Sequence, residues 1–367
     1  MLDRKRKYNS IYQNNNQSTS NNYYKRNKIF FNNKDPFNSN FKQNSETSED
    51  YNSDDNDDDY FKGSDELHNI DMNVDTLEDM VKLGESYDIN CPKKYVINLK
   101  LLNKCVPTLK KLNRLIGMKS IKKHIIDLIF FNLQNFKHDN SGKNMNNTLF
   151  FGSPGTGKTE VSKIIGKLYY QLNLVHKDLF IVVKLTDLIG KYVGHTEANV
   201  EKLFERAEGG IIFLDEAYSL GNKDRPTSFG KVAIDMINER MTRDNENNKK
   251  QDNHKEKAIT FFAAGYEKEM YESFLSVNPG LISRFFFRFH TDKYNYRELK
   301  KIYEKMIEDD DWKLCKTKPI QLKFFKDNMP SFENFGRDMQ RLWQLTKMAH
   351  SKRVFGKDIS LRTFINQ

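Results

Sequence analysis

The sequence predicts a doubly wound parallel α/β domain followed by a smaller helical domain, and three features carry that expectation. Leu149, Phe150 and Phe151 form a short apolar run, followed at once by Gly152-Ser153-Pro154-Gly155-Thr156-Gly157-Lys158-Thr159, which satisfies G-x-x-x-x-G-K-[ST]. Val161, Ile164, Ile165 and Leu168 then recur at helical spacing. Downstream, further apolar runs of strand length alternate with helical patterns until Tyr296, after which helical periods dominate.

Composition bounds what this architecture can be. The chain has 367 residues, 37% hydrophobic and 30% charged, with mean hydropathy −0.78, which leaves room for one nucleotide-binding domain and a small companion once a long polar segment is set aside. The net charge of +10 admits a nucleic-acid partner. Lys and Asn are spread along the whole chain, however, and no face is obviously basic, so nucleic acid is the weaker reading. Cys91, Cys105 and Cys315 lack metal-ligand spacing and form no even disulfide set. No apolar segment follows Met1–Lys7, and no run approaches the ~18 residues of a membrane span; Ile125–Phe131 is interrupted by Asp127. The expectation is a soluble intracellular protein with no membrane partner, cytoplasmic or nuclear being left open.

In chain order, residues 1–92 read as a low-complexity tail. Gln13–Gln17 and Asn21-Asn22 lie in its basic head, Glu46–Asp59 is an acidic block, and Leu77, Met80, Val81 and Leu83 suggest one helical turn. Residues 93–292 form the predicted α/β domain. Leu109, Leu112, Leu115 and Ile116 lead into Gly117, and Ile121, Ile125, Leu128 and Ile129 mark a helix ending before Asn140-Ser141-Gly142. Strands are predicted at Phe180–Lys184, Gly210–Leu214, Ala258–Ala264 and Phe285–Phe289, and helices at Thr196–Glu208 and Val232–Met241. Asp244–Lys257 is wholly polar and reads as a surface insertion. Residues 293–367 are the helical domain, with helices at Leu299–Ile307, Leu322–Asn328 and Arg337–His350.

Two constellations carry chemistry. In the first, Gly152, Gly155 and Gly157 let the backbone turn so that N–H groups converge on phosphate oxygens, and the following helix offers its positive end to the same anion. Lys158 is expected on the β- and γ-phosphates and the Thr159 hydroxyl on Mg²⁺, with Ser153, Pro154, Thr156 and Glu160 completing the ATP contacts. In the second, the run Gly210–Leu214 ends in Asp215 and Glu216, at the strand edge where α/β sheets hold ligands. Asp215 suits a Mg²⁺ contact, and Glu216 suits polarisation of the water that attacks the γ-phosphate.

Together with LNRLIGMKSIKKHI (Leu112–Ile125), LDEAYSL (Leu214–Leu220), AAGYEKEM (Ala263–Met270), NPGLISRF (Asn278–Phe285) and NFGRDMQRL (Asn334–Leu342), these motifs resemble the AAA+ ATPases. Within them they resemble the CbbX/CfxQ branch that includes red-type rubisco activases. The resemblance spans about Thr108 to Val354. It implies an AAA+ core with a C-terminal lid, adenine contact at Ile116 and Gly117, an arginine finger at Arg284 and a sensor arginine at Arg337. Arg288 and Arg341 lie close enough to be their rivals. Most members carry a polar residue after the fourth strand, where this chain has Gly265 and Tyr266.

Gly190-Lys191-Tyr192-Val193-Gly194-His195-Thr196-Glu197 resembles the pore loop of AAA+ machines that thread polypeptide. A flat aromatic between flexible glycines can grip a chain without reading its sequence. His195 has no partner at ligand spacing and reads as structural. The resemblance implies a homo-oligomeric ring, a hexamer, that hydrolyses ATP and pulls on a protein held at Tyr192. The alternatives are a motor or loader on nucleic acid, or a nucleotide-gated scaffold.

Overall fold

The computed structural model describes residues 67–68, 73–88, 94–95, 97–133, 146–190, 192, 194–221, 229–247, 257–314 and 320–355. The low-complexity head and the acidic block named above lie outside them. The chain divides into two units, residues 1–75 with 92–95, and residues 76–91 with 96–367. In the first, the described regular structure is a two-residue parallel pairing of Leu67–His68 with Lys94–Tyr95.

The second unit is built on five parallel strands: β1 (Thr148–Phe151), β2 (Phe180–Val183), β3 (Ile211–Leu214), β4 (Thr260–Gly265) and β5 (Phe287–His290). Their order is β2-β3-β4-β1-β5. Every residue of β1, β3 and β4 is buried, which is why these segments are continuous apolar runs rather than alternating ones.

One face of the sheet, with Leu149, Phe151, Ile212, Leu214 and Phe261, packs on α5 (His195–Ala207) and α6 (Phe229–Asn247). The other face presents Phe150, Phe213 and Phe262. Tyr169 of α4 (Lys158–Gln171) meets Phe262 edge-on at 5.2 Å there. Helices on both faces make the sheet doubly wound, as predicted.

Three boundaries differ from the sequence expectation. Thr76 to Glu85 is more than a single turn in a tail. Helix α1 (Leu77–Glu85) starts from a reciprocal cap, in which the Thr76 hydroxyl accepts from the Asp79 N–H and the Asp79 carboxylate accepts from the Thr76 N–H. It buries Leu77, Met80, Val81 and Leu83 against α2 (Leu99–Arg114). A polar average over the flanking sequence conceals this short amphipathic stripe.

Helix α6 runs to Asn247, into the expected insertion, because Asp244 is buried there. Its carboxylate accepts from the Ile259 N–H at 3.0 Å and pairs with Arg240 at 3.0 Å. Strand β5 begins at Phe287 because Phe285 is spent in the core, buried against Phe274.

Helix α3 (Lys119–Leu133) precedes β1, and the C-terminal helices are α7 (Tyr296–Asp309), α8 (Leu322–Asp327) and α9 (Gly336–Phe355). The last three close around their own core of Leu299, Tyr303, Ile307, Phe325, Met339 and Trp343. Among the described residues no helix is long and apolar enough to cross a membrane.

Candidate active site

The turn after β1 is shaped by close backbone approach. Gly155 has φ +68°, and a Cβ there would overlap the Asn334 carbonyl oxygen. Gly157, φ +85°, is the cap of α4, and no side chain of the cap takes up the helix's first N–H groups. Thr156 is buried with its hydroxyl paired to the Ser153 carbonyl and to Thr291 Oγ1, so it can serve a ligand only through its backbone.

Lys158 Nζ donates to the Gly152 and Ser153 carbonyls at 2.8 and 2.9 Å and lies 5.3 Å over the Tyr266 ring. Burial lowers its pKa, Asp215 and Glu216 oppose that shift, and Arg337 adds to it. The Thr159 hydroxyl donates to Asp215 Oδ2 at 3.2 Å. Glu216 is exposed and sits at φ +52°, a left-handed conformation in which a residue with a Cβ is strained. The Ser219 N–H and hydroxyl both donate to its carbonyl, at 2.9 and 2.6 Å, and hold the turn.

These groups border a cavity of about 550 Å³. Of the residues expected from sequence, Ile116, Pro154, Gly155, Gly157, Lys158, Thr159, Glu160, Asp215, Glu216 and Arg337 line it. Gly117, Gly152, Ser153 and Thr156 are not part of the lining; Gly152 and Ser153 instead line a neighbouring cavity with Thr291 and Tyr266. Arg341 does not line the first cavity, so Arg337 is the one of the two that reaches it. Ile116, Met118, Ile302 and Met306 give the lining apolar side chains, with Lys305 and Asp309 beside the last two on α7, and Lys158 has Asp215, Glu216 and Arg337 as charged neighbours.

Arg284 is elsewhere. Its Nε and Nη2 donate to Thr242 Oγ1 at 3.0 and 2.7 Å, and its Nη1 to the Gly280 carbonyl at 2.6 Å. Asn147, just before β1, donates to the Arg284 carbonyl at 3.2 Å, so Arg284 lies at the edge of the sheet where β1 starts. The phosphate loop is at the other end of that strand, roughly 13 Å away. Tyr192 is 68% exposed, with its ring edge-on to His195 at 5.3 Å. Lys191 and Val193 are outside the described residues.

Several cavity residues escape the sequence reading. Tyr294 donates its hydroxyl to the Thr156 carbonyl at 3.1 Å and packs its ring against Gly117. That link joins residues far apart in the chain and leaves no local pattern. Ile302, Met306 and Asp309 do leave one, since they fall at i, i+4 and i+7 beside the Leu299-Tyr303-Ile307 core stripe of α7.

ATP fits this donor set. Gly155 and Gly157 hold the positive φ that turns the loop's backbone, Lys158 now bonds carbonyls that an incoming phosphate would replace, and the apolar side chains of the lining suit a base. Mg²⁺ also fits, because two oxygens 3.2 Å apart on Thr159 and Asp215 can share an octahedral edge of roughly 3 Å.

The profile of the ATPase family associated with various cellular activities (AAA) matches residues 148–291. The chain is 35% identical over 288 residues to the cfxQ-like protein R730 of Acanthamoeba polyphaga mimivirus, covering 77% of this chain and 67% of that one. It is 32% identical over 252 residues to the CfxQ homolog of Galdieria sulphuraria, covering 66% and 77%. To the chloroplastic ribulose bisphosphate carboxylase/oxygenase activase of Cyanidioschyzon merolae it is 28% identical over 248 residues, covering 66% and 80%. With the phosphate loop, the acidic end of β3 and the helical lid already in place, these likenesses mean that the chain belongs to the AAA family of ATPases, among its CfxQ-like members.

Proposed function

We propose that this ATPase works as a homo-oligomeric ring, a hexamer, and uses ATP hydrolysis to remodel or thread a protein held at Tyr192. One observation carries the ring. Lys158, Asp215, Glu216 and Arg337 converge on one cavity, while Arg284 stands at the far edge of the sheet. An arginine that contributes to hydrolysis from there must serve the cavity of a second copy.

Within one cavity the roles divide by chemistry. The loop amides and Lys158 bind and orient the β- and γ-phosphates. Thr159 and Asp215 would hold Mg²⁺, which would supply positive charge against the phosphate oxygens. Glu216 orients the attacking water and takes its proton as the new P–O bond forms and the bond to the β-phosphate oxygen breaks. Arg337 comes from the lid, so the lid's position depends on what fills the cavity. Ile116 and Met118, with α7, clasp the base.

The name activase belongs to the relative. The +10 charge supports a second reading, a motor or loader on nucleic acid.

The ring is tested by mixing. Arg284→Ala should bind ATP and turn it over slowly, since a finger supplied across an interface contributes ~10³–10⁵ in rate. Mixed with Glu216→Gln protomers it should recover activity, because some interfaces then pair an intact Glu216 with an intact Arg284. Rings shown to be mixed that recover nothing at any ratio would leave Arg284 a local structural residue.

A further inference from the structure

Two aromatic rings border the cavity at the end of β4, and neither belongs to the phosphate loop. The ring of Tyr266 lies under Lys158 Nζ, 5.3 Å from centroid to nitrogen. Tyr218 stacks on it, with centroids 5.3 Å apart and planes 24° from parallel. The stack depends on Gly265, where a Cβ would come 2.9 Å from Tyr218 Cδ1 and 2.7 Å from the Met270 side chain. Tyr218 in turn sits two residues after Glu216, in the turn that Ser219 holds closed. A continuous set of contacts therefore runs from the lysine through two rings to the segment bearing the acid.

We propose that Tyr266 is a positioning residue for ATP hydrolysis, holding the Lys158 ammonium over the phosphate cradle by its ring face and setting the Glu216 turn through Tyr218. The inference rests on the reading that Lys158 serves phosphate and Glu216 serves water. The ring suits this work better than a hydrogen-bonding side chain would. A cation–π contact uses the charge of the ammonium and none of its N–H directions, so it persists while Lys158 exchanges loop carbonyls for phosphate oxygens. It also offsets part of the burial that disfavours the charged lysine. Burial first, then Glu216, pushes the Tyr218 hydroxyl up to about 12, so that ring stays neutral beside the acid at physiological pH.

The test compares Tyr266→Leu, Tyr266→Phe and Tyr218→Leu in the full chain, with ATP affinity from calorimetry, steady-state kcat and KM, and melting temperature. Tyr266→Leu should lose about ten-fold in kcat/KM, the scale of a partly buried cation–π contact. Tyr266→Phe should regain most of that loss, because its ring face is intact. Tyr218→Leu should lower kcat while ATP affinity holds, since it acts through the Glu216 turn. If Tyr266→Leu melts early, Tyr266→Met replaces it.

A role in packing alone predicts the reverse pattern, with Leu tolerated or its loss tracking melting temperature and unrecovered by Phe. Either result overturns the proposal. Lys158→Ala run in parallel separates the two levels. Full ATP affinity in Lys158→Ala would sink the phosphate-loop reading itself. Lost affinity there beside a wild-type Tyr266→Leu would sink only the role given to Tyr266.

Discussion

The Gly336 amide, first residue of α9, donates a 3.0 Å hydrogen bond to the Gly155 carbonyl at the crest of the phosphate loop. Two glycines thus bring lid and loop into backbone contact, and Tyr294 adds a second tie through the Thr156 carbonyl. The loop's shape and the lid's position are consequently one mechanical unit.

Gly155→Ala tests that unit. Its Cβ would meet the Asn334 carbonyl oxygen, and alanine at φ +68° adds roughly 1–2 kcal/mol of backbone strain. The lid must shift or the loop must reshape, so ATP affinity should fall by at least about ten-fold by calorimetry. Unchanged affinity would show that lid and loop move independently.

Asp244 gives a stability prediction. It accepts from the Ile259 N–H and pairs with Arg240 while largely buried, and burial raises its pKa against both partners. Asp244→Ala leaves a buried N–H and a guanidinium without their acceptor and should cost about 2–4 kcal/mol in denaturant unfolding. Asp244→Asn, which keeps an oxygen for Ile259, should cost less. Excision of 248–256, which carry no apolar side chain, should leave ATPase activity in place, whereas removal of the whole Asp244–Lys257 stretch should not. Equal tolerance of both deletions would contradict the burial of Asp244.

Thr242 has a similar bearing on Arg284. Its hydroxyl donates to the Asn238 carbonyl and accepts two guanidinium N–H groups, which fixes how Arg284 projects. Thr242→Val should therefore lower turnover in assembled rings while ATP affinity holds, and Thr242→Ser should restore it. Full turnover in the valine variant would mean that Arg284 needs no such support.

The residues legible in the sequence were those whose role is local. Gly152–Thr159 and Ile211–Glu216 announce themselves because phosphate cradling and a buried parallel strand each impose a pattern on consecutive residues. Helix α1 was half legible. Its stripe is apolar at helical spacing, but its packing on α2 is a tertiary fact. Asp244 looked like one more polar residue in a polar run, and only the fold shows what its carboxylate accepts. Tyr294 and Tyr218 are illegible as site residues, and Tyr266 is legible only as a departure after the fourth strand, because their partners are distant in sequence and a lone tyrosine carries no spacing.

The measurement nearest the central claim is ATP turnover of wild type and Tyr192→Ala, alone, with a chemically unfolded protein, and with single-stranded DNA. Tyr192 lies exposed and outside the lining of the nucleotide cavity, so the alanine variant removes no group from the phosphate chemistry. The account predicts that unfolded protein stimulates wild-type turnover and that Tyr192→Ala loses this stimulation, with basal turnover within a few-fold of wild type. Tyr192→Phe should respond like wild type, since the aromatic face is kept. Stimulation by DNA alone, steeply salt-dependent and indifferent to Tyr192→Ala, would contradict the account and favour a nucleic-acid motor.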